Sequence, residues 1–305
     1  MGKDFISVLD AKDDLTALVR SALDLKKSLR AGEKTELLRG STLALIFEKS
    51  STRTRVSFEI AMTQLGGRSF FLNPQDLQLG RGESISDTAR TLSRYVDCIA
   101  YRAFDHEKVL ELARNSSIPV INALDNLEHP CQALADILTI KEKKNDLKGL
   151  KLAYVGDGNN VCNSLILACS LTGIDITVAC PEGYEPNGKI LGEARNLASR
   201  GNSKCEVVRN PQEAAQGADI IYTDVWVSMG DEEEAEKRLE DFRNYQVNSD
   251  LLSVTSSDCI IMHCLPAHRG QEITDEVLDG PQSVVFDQTE NRLHAQKALL
   301  VSLLS

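Results

Sequence analysis

The 305-residue sequence has no Cys-x-x-C pair, no internal repeat, no low-complexity segment and no surplus of basic residues. Each absence narrows the function. Without paired cysteines, the eight thiols (Cys98, Cys131, Cys162, Cys169, Cys180, Cys205, Cys259 and Cys264), mostly in apolar runs, read as reduced groups of a cytoplasmic protein. No signal peptide precedes the first expected helix, which fits the same compartment. No apolar run approaches the ~18 residues of a membrane span, so no membrane partner is expected. Forty-five acidic against 34 basic residues leave a net charge of −11, which argues against a nucleic-acid or anionic-lipid surface. A local basic pocket can still hold a small phosphate, so the expected partner is a small molecule. The single tryptophan, Trp226, reads as a packing residue.

What is present is length enough for two domains of about 150 residues and, at 42% hydrophobic residues, apolar content enough for two cores. Strand and helix patterns alternate, as parallel βα units do. Strands are predicted over 42–47, 68–72, 96–101, 118–122, 150–155, 175–180, 205–208, 219–223, 259–263 and 283–286. Helices are predicted over 14–30, after residue 51 to Gly66-Gly67, from a cap at Ser84 or Ser86, from Pro130 to Lys144, from Val161, and over 291–304. The fold class is therefore α/β: two domains, each a mostly parallel sheet flanked by helices, joined by interdomain helices. The charge-rich stretch Lys141-Glu142-Lys143-Lys144-Asn145-Asp146 marks the boundary, giving domains over 1–145 and 146–290, with 291–305 packing back on the first.

The stretch from Phe47 to Glu59 joins a strand to a helix. Ser50, Ser51 or Thr52 can cap that helix, but Arg53 and Arg55 fall in its first turn, where the dipole favours anions. A bound phosphate would account for two cations there, meeting free backbone N–H groups, hydroxyls and a forked guanidinium. An ordinary capped helix with solvated arginines is the plainer reading. Gly156-Asp157-Gly158-Asn159-Asn160 follows a strand, but Val161 replaces the third glycine of a dinucleotide fingerprint, so no nicotinamide or flavin is expected. His263, Cys264 and His268 have no acidic partner nearby in sequence, and no metal is expected. The run from Asp231 to Arg238, with Glu233–Lys237 and Glu234–Arg238 at i,i+4, reads as a solvated helix face.

Four stretches in order resemble the signatures of the aspartate/ornithine carbamoyltransferase family: Ser51-Thr52-Arg53-Thr54-Arg55, His129-Pro130-Cys131-Gln132, Asp224-Val225-Trp226-Val227-Ser228-Met229-Gly230 and His263-Cys264-Leu265-Pro266. The likeness runs from near residue 40 to the C-terminus and, within the family, points to ornithine as acceptor. It implies transfer of the carbamoyl group of carbamoyl phosphate to the side-chain amine of L-ornithine, without a cofactor, in a homotrimer or a multiple of trimers. It assigns carbamoyl phosphate to Ser51, Thr52, Arg53, Thr54, Gln78, Arg102, His129, Gln132, Cys264, Leu265 and Arg292. Gln78 would come from a neighbouring subunit. Arg102, His129, Cys264 and Arg292 would be the catalytic residues: Arg102 and His129, together with Thr54, at the carbamoyl oxygen, Cys264 beside the attacking amine and Arg292 near the carbamoyl group. Asn160, Asp224, Ser228 and Met229 would hold ornithine, with Asn159 supporting their turn. The alternatives are transfer to aspartate, putrescine or an acylated ornithine, and a non-catalytic phosphate-binding relative. Aspartate would call for cations where Asp224 stands, and putrescine has no carboxylate for Asn160 and Ser228 to hold.

Overall fold

A computed structural model of the chain describes residues 2–73, 77, 82–228 and 232–305. The chain forms two compact units, one of Met1–Glu142 with Glu290–Ser305, the other of Lys143–Thr289. Gln78 and Met229 lie outside the described residues.

The first unit opens with α1 (Leu15–Arg30), which buries Leu15, Leu18, Val19, Ala22 and Leu25 along one stripe. Then follow β1 (Thr42–Phe47), α2 (Thr52–Gln64), β2 (Arg68–Leu72), α3 (Ile85–Leu92), β3 (Cys98–Arg102), α4 (His106–Asn115), β4 (Val120–Leu124) and α5 (Pro130–Lys144). The strands pair in parallel in the order β2-β1-β3-β4. The inner strand Thr-Leu-Ala-Leu-Ile-Phe is buried along nearly its whole length, as parallel strands covered on both faces must be. β2, at the edge, remains partly exposed. From β1 the chain first adds β2 on one side and then returns to place β3 on the other. The two connections diverge above the carboxyl ends of β1 and β3, and that opening is where an open α/β sheet takes its ligand.

The second unit repeats the plan with β5 (Lys151–Val155), α6 (Asn160–Thr172), β6 (Asp175–Ala179), α7 (Gly188–Gly201), β7 (Cys205–Val208), α8 (Pro211–Ala215), β8 (Ile220–Thr223), α9 (Ala235–Asp241), α10 (Ser249–Leu252), β9 (Ile260–His263) and α11 (Asp275–Leu278), followed by α12 (Val285–Leu304). Its five strands are parallel in the order β7-β6-β5-β8-β9, so the reversal falls between β5 and β8. Trp226 is buried in this unit's core, stacked on Phe242 with 5.9 Å between ring centroids. The chain leaves the first unit within α5 and re-enters it within α12.

Residues 283–286 are not a strand. Ser283 makes one isolated bridge to Ile261, and Val285 already begins α12, with Gln288 N donating to Val284 O at 2.8 Å. β-branched Val284 and Val285 suggested a strand, but the carbonyls that a strand would present across a sheet turn into a helix after one bridge. Accordingly α12 begins before residue 291. The other expected strands are present with shifted ends, as at β4, where Pro119 has no N–H to give a ladder. Among the described residues, no helix is long and apolar enough to cross a membrane.

Candidate functional site

In the first unit, the loop after β1 and the end of β3 meet, because Phe47 and Arg102 are register partners. Ser51 is the N-cap of α2, extended at φ −158° and ψ 102°, yet its side chain makes no capping bond. Its hydroxyl instead accepts from Arg102 Nη1 at 3.5 Å. Thr52 is exposed, Arg53 half-buried and Thr54 fully buried. Thr54 Oγ1 accepts a short hydrogen bond from Arg292 Nη2. An uncapped helix N-terminus thus lies among Arg53, Arg102 and Arg292, the arrangement that binds an oxyanion best. Arg55 is committed elsewhere: its Nε donates to Glu59 Oε1 at 2.9 Å and its guanidinium carbon lies 3.7 Å from the Phe71 ring centroid. Of the two cations in the first turn, it is Arg55 that Glu59 and Phe71 engage. Asp105, three residues beyond Arg102, caps α4 by accepting from Glu107 N at 3.1 Å.

His129 and Gln132 come to this unit's cluster from the start of α5. The loop before them is fixed by Asp125, fully buried, which accepts from Leu127 N and Glu128 N at 2.7 Å each, from Asn122 Nδ2 at 2.8 Å and from His106 Nδ1 at 2.6 Å. Burial, then the guanidiniums of Arg292, Arg102 and Arg53, hold the His129 imidazolium well below its ordinary range. At neutral pH this ring is uncharged, and its N–H is a donor suited to a carbonyl turning into an oxyanion. Gln132 Nε2 is committed to Asp136 Oδ1 at 2.8 Å, which turns the buried Gln132 Oε1 toward the role of acceptor.

In the second unit, Asn159 caps α6 fully: its Oδ1 accepts from Val161 N at 3.0 Å and Cys162 N at 3.1 Å, while Nδ2 donates to Asp224 Oδ2 at 2.8 Å. That last bond spans the reversal between β5 and β8. Asp224, buried just past β8, accepts through Oδ1 from Val225 N at 2.8 Å and from the Cys264 thiol at 2.9 Å. Asn160 is the first residue of α6 and Ser228 is half-buried beyond Asp224. Leu265 follows Cys264 with φ +56°, an unusual left-handed conformation for a side chain of that size. A carboxylate at this strand end has the charge to receive an ammonium group.

Asp224, His263 and Cys264 each bring one ligand atom within 4.8 Å of the others, so the fold supplies the acidic partner that proximity in sequence did not reveal. Both imidazole nitrogens of His263 are engaged: Nδ1 accepts from Leu265 N at 2.9 Å, and Nε2 meets Glu272 Oε1 at 3.0 Å. With the thiol given to Asp224, a cation would have to displace these bonds. Sequence reasoning missed three framework residues. Glu272 is buried and also accepts from His268 N at 2.6 Å. Asp125 carries the loop before His129, and Arg238 is no solvated cation. Arg238 meets Asp157 across 81 residues, which no local pattern signals, whereas Asp125 closes a local turn on Leu127 N and Glu128 N and Glu272 lies only nine residues from His263, so for these two the missing signal was burial rather than separation.

Two family models match the chain. The carbamoyl-P binding domain of aspartate/ornithine carbamoyltransferase matches residues 3–142, and the Asp/Orn binding domain of the same family matches residues 148–303. The ornithine carbamoyltransferase of Methanosarcina mazei is 56% identical over 305 residues, covering 100% of both chains. A catabolic ornithine carbamoyltransferase of Thermoplasma volcanium is 54% identical over 303 residues, covering 99% of each. Among solved structures, the ornithine carbamoyltransferase of Pyrococcus furiosus superimposes with a TM-score of 0.96 at 52% identity, covering 99% of this chain and 96% of its own.

Proposed function

The chain belongs to the aspartate/ornithine carbamoyltransferase family, and from that premise we propose that it transfers the carbamoyl group of carbamoyl phosphate to the δ-amine of L-ornithine, giving L-citrulline and inorganic phosphate. The observation that carries the reading is the pair of strand-end sites of opposite character, guanidiniums around an uncapped helix in one unit and a buried carboxylate in the other.

In this reading the first unit holds carbamoyl phosphate. Ser51, Thr52, Arg53 and Thr54 take the phosphate with their side chains and the α2 N-terminus, joined by Gln78 of a neighbouring subunit. Arg102, neutral His129 and Arg292 polarise the carbamoyl oxygen, and Gln132 Oε1 accepts from the carbamoyl amide. The second unit holds ornithine, with Asp224 on its α-ammonium and Asn160, Ser228 and Met229 on its α-carboxylate. Cys264 and the Leu265 backbone border the attacking amine and carbamoyl group. The neutral δ-amine attacks the carbamoyl carbon, the carbon–oxygen bond to phosphate breaks with its electron pair on phosphate, and the amine proton leaves with it as hydrogen phosphate. An alkylammonium has an ordinary pKa of about 10.4, so only its deprotonated fraction attacks, and a desolvating site raises that fraction.

A soluble cytoplasmic homotrimer completes the proposal. The exposed apolar residues Val56 and Ile60 on α2 and Phe70 on edge strand β2 support burial of that face against another copy. The decisive experiment offers carbamoyl phosphate with ornithine, lysine, putrescine and aspartate at matched concentrations and measures the carbamoylated product. Ornithine should lead by a wide margin; preference for aspartate or putrescine would overturn the reading. Sedimentation of the same preparation checks the trimer.

A further inference from the structure

The loop from Asp125 to Glu128 delivers His129 to the start of α5, and it is held by segments that carry none of the residues assigned to carbamoyl phosphate. The N-terminal segment pairs with β4 at Phe5, whose N–H donates to Val120 O at 2.9 Å and whose carbonyl accepts from Asn122 N at 2.8 Å. It then meets the loop through Val8 N, which donates to the buried Glu128 Oε2 at 3.2 Å. α4 meets the loop as well. Its first residue, His106, donates its backbone N–H to Asn126 Oδ1 at 2.9 Å, and its ring Nδ1 lies 2.6 Å from Asp125 Oδ2.

The two oxygens of Asp125 have different tasks. Oδ1 takes the Leu127 and Glu128 N–H groups that shape the turn, and Oδ2 is shared between His106 Nδ1 and Asn122 Nδ2. A fully buried carboxylate needs donors or a cation on both oxygens, and His106 supplies a donor and, when protonated, a cation. The bond to Asp125, only partly opposed by burial, holds the His106 imidazolium above its ordinary range. The His106 side chain is 20% exposed and borders an open cavity of about 410 Å³ shared with Ser7, Asp10 and Leu110, so it can be exchanged without emptying the core.

We propose that His106 is a positioning residue for His129: by holding Asp125 Oδ2 it fixes the turn through Leu127 and Glu128, and so the placing of the His129 ring against the carbamoyl oxygen. The inference rests on the carbamoyl-transfer reading above. His129 acts most strongly as the carbonyl oxygen becomes an oxyanion, so a misplaced ring lowers turnover more than it weakens substrate binding.

The test is steady-state kinetics of His106→Ala, His106→Asn and His106→Gln, with His106→Ala also made in a His129→Ala background. His106→Ala should lower kcat roughly tenfold with both KM values unchanged. His106→Asn puts an amide nitrogen where Nδ1 stands and should keep most of the wild-type turnover, whereas His106→Gln puts it where Nε2 stands and should fall with the alanine variant. On a chain already lacking His129, His106→Ala should cost nothing more. A residue that merely supported the fold would reduce the active fraction by the same factor with or without His129. That outcome, equal turnover of the Asn and Gln variants, or an unchanged kcat in His106→Ala overturns the proposal. The carbamoyl oxygen is common to every acceptor, so the comparison holds for whichever amine the wild type carbamoylates. Absence of any carbamoyl transfer by the wild type overturns both readings.

Discussion

The two units use the same framework to opposite ends. Each is a parallel sheet whose strand order reverses, and each gathers polar side chains above the carboxyl ends of the strands flanking that reversal. Their helix termini differ. Ser51 leaves the N-terminus of α2 uncapped and turns its hydroxyl to Arg102, whereas Asn159 caps α6 twice over and gives its remaining amide to Asp224. The first terminus keeps its dipole available to an anion. The second has two of its N–H groups taken by the Asn159 cap, and a buried carboxylate stands beside it. Topology thus repeats the strand-end opening, and capping chemistry with a few charged side chains makes the two openings electrostatically different.

The comparison breaks most visibly if the two sites are not separable. Arg53→Ala should cut kcat/KM for carbamoyl phosphate by roughly 10²- to 10³-fold, with Arg53→Lys restoring only part, while Asp224→Asn should raise the ornithine KM roughly tenfold or more and leave carbamoyl phosphate binding intact. Isothermal titration with each substrate checks both. Equal loss of both affinities in either variant would end the division of labour.

A smaller effect concerns acid. Burial, followed by Lys26, pushes the His294 imidazolium down to about 4, and His129 is displaced in the same direction. Between pH 6.5 and 4 the unfolded chain binds a proton that folded His294 refuses, so stability present above pH 6.5 is lost as pH falls, by up to about 1.4 kcal/mol per pH unit. His106 opposes this, since its hydrogen bond to Asp125 raises its pKa and favours the folded state at low pH. All three lie in the unit with the guanidinium cluster. Urea unfolding at pH 6.5 and 4.5 should show a shallower acid loss for His294→Gln than for the wild type.

The smallest effect separates two arginines in one helical turn. Arg55→Ala removes the Glu59 bond and the contact with Phe71, costing about 0.5–1 kcal/mol of stability, with carbamoyl phosphate kinetics unchanged. A kinetic loss comparable to that of Arg53→Ala would place Arg55 in the site as well.

The sequence by itself determined the fold class and the family. Near-continuous apolar strands alternating with helical stretches specify covered parallel sheets, and the four motifs are contiguous, so their residues can be named without knowing what lies beside them. The strand assignment at 283–286 failed because β-branched residues fit equally well before a helix when only one carbonyl finds a sheet partner. The two arginines of the first α2 turn looked alike until Glu59 and Phe71 claimed one of them. What only the tertiary structure decided are the pairings between distant segments: Thr54 with Arg292, Asn159 and Cys264 with Asp224, and Arg238 with Asp157. A buried or half-buried charge is stable only with a partner, and which partner it meets depends on strand order and crossover. Local spacing carries no record of either.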